Sequence, residues 1–61
     1  MKITVIKYLT SDDIGKHVIM PQGQGTLVNF NVGGMSIGLL NLDGRIRTYS
    51  VSETTKFLVK G

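Results

Sequence analysis

The sequence predicts an all-β domain: a small, partly open barrel of five or six strands with one short helical turn before the last strand. Three observations predict it. Apolar residues come in short runs rich in Val, Ile and Thr, several of them alternating with polar neighbours, which is the period of a half-buried strand. Eight glycines and a single proline punctuate those runs, as tight turns between short strands require. No segment keeps a 3.6-residue period over roughly ten residues or more, so no full helix is expected.

Residues 2–8, KITVIKY, form the first strand, with Ile3 and Val5 on the inward face. Residues 10–16, TSDDIGK, read as a loop, in which Asp12 and Asp13 are solvated turn formers ahead of any metal or acid pair. His17-Val18-Ile19-Met20 is a short strand closed by Pro21, which cannot donate to a ladder. Pro21-Gln22-Gly23-Gln24-Gly25 is a turn; its Gly-x-Gly lacks the third glycine, the lysine and the helix of a phosphate loop. Residues 25–31 alternate, with Thr26, Val28 and Phe30 on one face and Leu27, Asn29 and Asn31 on the other; Val28 and Phe30 are assigned to the core. After the turn Val32-Gly33-Gly34-Met35, residues 36–42 carry apolar side chains on both faces, with Gly38 marking a bulge or bend. Asp43-Gly44 predicts a type I′ hairpin turn. Residues 45–51 return antiparallel, Ile46 and Thr48 facing one way and Arg45, Arg47 and Tyr49 the other. Ser50-Val51-Ser52-Glu53 has the form of a capping box and predicts the single helical turn. Residues 56–60 resume as the last strand. The expected core is Ile3, Val5, Val18, Met20, Val28, Phe30, Ile37, Leu39, Ile46, Val51, Phe57 and Val59.

With 61 residues the chain forms one domain, residues 1–61, and a domain so short buries only about 60% of the surface its unfolded form exposes. It has no cysteine and one histidine, His17, so neither a disulfide nor a usual zinc constellation supplements the core. Seven basic residues against four acidic leave a net charge of +3. That permits contact with nucleic acid or an acidic protein surface without requiring it. Lys7 breaks the N-terminal apolar run and no cleavage-site pattern follows, so no signal peptide is expected. No apolar stretch approaches the roughly 18 residues of a membrane span. The expectation is a soluble, cytoplasmic protein with no membrane partner.

Several stretches together resemble a small Src-homology-3-like barrel of the kind found in KOW and Tudor-like modules. They are Ile14-Gly15-Lys16-His17-Val18, Gly25-Thr26-Leu27-Val28, Ile37-Gly38-Leu39-Leu40 with Leu42-Asp43-Gly44-Arg45, and Tyr49-Ser50-Val51 ahead of the last strand. The resemblance is architectural and covers nearly the whole chain. It implies a binding module, since such barrels take nucleic acids, peptides, methylated side chains and other proteins. Size and solitary-domain character also suit a small phage-encoded protein. The plasmid-type, trimethoprim-resistant dihydrofolate reductases share this barrel and resemble the chain near Ile46-Arg47-Thr48-Tyr49 and the final strand. Their tetrameric pore uses a Val-Gln-Ile-Tyr-type segment, whereas the glutamine position here is Arg47.

Two surfaces emerge as candidates. Arg45, Arg47 and Tyr49, with Lys56 and Lys16, form a basic and aromatic set: guanidinium forks suit phosphate, and a phenol ring suits base stacking. Contact with nucleic acid through this face is the first expectation; a solvated outer strand is the bland alternative. Leu27, Leu40, Leu42, Ile6 and Tyr8 fall opposite the assigned core, and an exposed apolar patch marks an interface. A protein partner or a homo-oligomer, in a binding or inhibitory role, is the second expectation. A bulge that swaps inside for outside would undo that assignment locally. Catalysis needs a nucleophile, base and orienter, and His17, the lone imidazole, lies in a strand as a packed or surface residue. The reading is therefore non-enzymatic, with no cofactor, catalytic residue or metal ligand assigned.

Overall fold

A computed structural model describes all residues, Met1–Gly61. Six antiparallel strands form one sheet: β1 (Lys2–Thr4), β2 (His17–Met20), β3 (Gly23–Asn31), β4 (Ser36–Asn41), β5 (Ile46–Ser50) and β6 (Phe57–Lys60). Their order is β1-β6-β2-β3-β4-β5, so β1 and β5 are the two edges and the sheet is not closed by hydrogen bonds. Two lone 3-10 turns, Ile6–Tyr8 and Ser11–Asp13, connect β1 to β2. The helical turn expected before the last strand is a reverse turn, with the Thr55 N–H donating to the Ser52 carbonyl at 3.2 Å. The Ser50–Glu53 capping box does not form; instead the Thr10 N–H donates to the Asp13 carboxylate at 3.0 Å.

The core holds Ile6, Leu9, Val18, Met20, Leu27, Ile37, Leu39, Val51, Phe57 and Val59. In β3 its departure from expectation has one cause. The β3–β4 register runs Leu27↔Leu39 and then Asn29↔Gly38, so Val28 is an extra residue. Such a bulge reverses the alternation beyond it. Leu27 therefore faces inward and is fully buried, contrary to its assignment as an interface residue. Val28 and Phe30, expected in the core, are only half-buried; Phe30 packs against the core from its margin. Ile46 pairs with outward-facing Leu40 and is 62% exposed, and Ile3 is 70% exposed. In the first segment the strand ends at Thr4; a 3-10 turn then swings Ile6 inward and leaves Val5 half-buried.

Two glycines are demanded by close approach. A Cβ on Gly25 would lie 2.4 Å from the Leu40 carbonyl oxygen, and one on Gly38 would lie 2.5 Å from Asn29 Oδ1. The β4–β5 loop also differs from expectation. Gly44 has φ +84° but Asp43 is not left-handed, and Gly44 N–H bonds Asn41 O while Asn41 N–H bonds Arg45 O. This fits a type I turn followed by a left-handed glycine, a longer hairpin connection than type I′.

The open sheet is fastened at its margins by side chains. Asp13 is 1% exposed and is no solvated turn former. Lys2 Nζ lies 3.0 Å and Lys16 Nζ 3.6 Å from its Oδ1. The Thr10 N–H bond holds its carboxyl below the usual aspartate range; burial opposes this, and Lys2 and Lys16 reinforce it. At the other margin Asn41 Nδ2 donates to the Tyr49 hydroxyl at 2.7 Å and to the Gln24 carbonyl at 2.9 Å. Gln22 Nε2 donates to the Ser50 carbonyl at 3.2 Å.

Gly25→Ala should destabilise the fold by about 1–3 kcal/mol, because backbone must move. Gly38→Ala should cost less and be relieved by adding Asn29→Ala, which will not rescue Gly25→Ala; urea titration of the four variants measures this. Asp13 protonates at lower pH in the folded chain than in the unfolded one. Its contribution is thus complete above the ordinary aspartate value near 3.8 and drains away as pH falls through the depressed folded value. Asp13→Asn should cost roughly 1–3 kcal/mol at neutral pH. Its deficit should shrink on acidification below about pH 4, read from melting temperatures across pH.

Candidate functional site

The hairpin register sets what β5 can present. Ile37↔Tyr49 and Leu39↔Arg47 place Tyr49 and Arg47 on the core-facing side of the sheet, at its open edge. Tyr49 is half-buried, packs against the core, and carries its hydroxyl over Gly23, where a Cβ would lie 3.0 Å away. Arg47 Nη2 reaches Asp43 Oδ2 at 3.1 Å. Arg45, exposed, donates its backbone N–H to Asp43 Oδ1 at 3.0 Å. That backbone bond, followed by the Arg47 bond, holds the Asp43 carboxyl below the usual range. The ion pair is solvated, its partners about half exposed, and contributes little to stability.

Of the basic and aromatic set, Arg47 and Tyr49 thus share β5 and Arg45 lies just before it, but Tyr49 serves closure of the sheet and Arg47 has an acidic partner. Lys16 turns to Asp13. Lys56 stands just before β6, with three strands between β6 and β5 in the sheet order. His17 Nε2 lies 2.9 Å from Gln24 Oε1, across the β2–β3 ladder, and meets no hydroxyl nucleophile.

The outward face is more apolar. Leu40 (38% exposed) and Ile46 stand opposite each other on β4 and β5, and Leu42, at the hairpin tip, is 82% exposed. Tyr8 is also exposed, with Lys7 Nζ 5.3 Å from its ring centroid. Along the other half of the sheet, the register Ile3↔Leu58↔Ile19 aligns three apolar side chains. They floor an open groove of about 510 Å³ bordered by Pro21 and Lys56. A second groove of about 260 Å³ continues from Ile3 and Lys56 to Val5 and Tyr8. Neither Ile46 nor Ile3 was expected outside. The signal that would have exposed them is strand pairing: Ile3 pairs with Leu58 of β6, and the longer β4–β5 turn sets Ile46 opposite Leu40.

The fold defines a class, a small all-antiparallel six-stranded β-sheet compatible with a barrel-like form. Comparison with protein-family models, with curated proteins and with solved structures finds no match.

Because Asp43 occupies Arg47, Asp43→Asn should raise the salt concentration needed to elute the protein from heparin. Asp12→Asn, which changes net charge equally but frees no arginine, should raise it less.

Proposed function

We propose that this chain is a non-enzymatic binding module whose partner is a protein docked on the outward apolar side chains of its sheet. One observation carries the reading: Leu40 and Ile46 are paired by the β4–β5 register, Leu42 stands in the turn of the same hairpin, and all three remain exposed. Adjoining exposed apolar side chains mark an interface more often than scattered ones do. The curled six-stranded sheet is compatible with the small Src-homology-3-like, KOW or Tudor-like barrels that the sequence resembles, and those modules include protein binders. Contact with nucleic acid through Arg45, Arg47 and Tyr49 is the second reading, favoured by Arg47 and Tyr49 sharing β5 with Arg45 just before it. It ranks lower because Arg47 already faces Asp43 and the Tyr49 ring is folded over Gly23.

The test is affinity capture after nuclease treatment. One stoichiometric protein should be retained. Leu42→Asp with Ile46→Asp, both at exposed positions, should reduce capture roughly tenfold or more, with circular dichroism unchanged. Arg45→Ala with Arg47→Ala should leave it intact. If nuclease or the arginine pair abolishes capture, and low-salt binding to oligonucleotides accompanies the loss, the nucleic-acid reading replaces this one.

A further inference from the structure

We infer that the groove over β1, β6 and β2 receives an extended, acidic segment with apolar anchors from a partner protein; this goes beyond the protein-binding reading to a second part of the sheet. The floor is the aligned row Ile3, Leu58 and Ile19. Ile3 and Lys56 belong to both grooves, so the two form one channel from Pro21 to Tyr8. The channel is open along its mouth; it suits a peptide segment, where a small molecule favours an enclosing cleft. β1 is paired on one side only, so a segment lying along it can also add to the sheet as a strand.

Charge selects the occupant. No acidic residue lines either groove. Lys56 borders both and forms no ion pair, unlike Lys2 and Lys16, which are held by Asp13. Lys7 lies over Tyr8 at the far end. Cations beside an apolar floor favour a segment that alternates carboxylates with large apolar side chains. A second copy of this chain has no such segment to offer. Of its four carboxylates, Asp13 is buried and Asp43 faces Arg47, which leaves only Asp12 and Glu53, each in its own turn.

The test uses fluorescein-labelled synthetic peptides in polarisation titrations against the intact chain. One alternates Leu and Phe with Asp and Glu; the other carries Lys in place of the acids. The acidic peptide should bind, weaken with added salt, and outcompete the basic one roughly tenfold. Lys56→Glu should reverse that preference. Ile3→Asp, at an exposed position, should weaken binding by a similar factor, while Leu42→Asp with Ile46→Asp should leave it unchanged. Absence of binding, equal binding of both peptides, or indifference to Lys56→Glu overturns the groove assignment. If partner capture persists in that case, the protein-binding reading stands through the β4–β5 patch; if capture fails as well, that reading falls with it.

Discussion

The extra residue at Val28 governs which apolar side chains of β3 this small domain hides. A sheet of short strands has two faces and can enclose only one. Without the bulge, strict alternation along β3 would bury Val28 with Phe30 and turn Leu27 outward. With it, Leu27 joins Leu39 in the core, while Asn29 keeps to the outer face above Gly38. Along β4 and β5 the outward positions fall to Leu40 and Ile46. The exposed apolar patch is thus the complement of the core, fixed by the same register.

A sheet with two open edges needs something to hold its margins, and polar groups do so here. A buried carboxylate is costly unless ionised against partners that satisfy it. Asp13 meets that condition with one backbone donor and two ammonium groups that stay partly in water. It ties the start of β1 to the loop before β2. Asn41 and Gln22 do the equivalent for β5, joining its end to the β2–β3 connection. Because these fastenings use Arg47's neighbour Tyr49 and the lysines Lys2 and Lys16, they draw basic and aromatic groups away from any continuous cationic face. The cations outside any ion pair are Arg45, Lys7, Lys56 and Lys60, spread over both halves of the sheet.

The six strands, their antiparallel order along the hairpins and the turn at Asp43-Gly44 were legible in the sequence, because each depends on residues within a few positions of one another. The face assignments in β1, β3 and β5 were not. In β3 one unpaired residue changes which side chain turns inward; in β1 the strand ends at Thr4 and a 3-10 turn follows; in β5 the longer hairpin turn shifts the pairing by one residue. Gly38 did flag trouble at the right place, though the extra residue lies on the opposite strand. The role of Asp13 was equally hidden: its partner Lys2 lies eleven residues away, brought within reach only when β1 pairs with β6. The hairpin arginines and tyrosine were found together as expected, but which side of the sheet they occupy followed from register rather than from spacing.

The two tyrosines occupy opposite circumstances, and the chain has no tryptophan. Near-ultraviolet emission therefore comes from two phenols alone. Tyr49, hydrogen-bonded inside the closure between β5 and β3, reports on whether the sheet is shut. Tyr8, in water at the end of the channel, reports on what lies against it. The molecule carries, without any added label, one optical reporter of its own integrity and another of its occupancy.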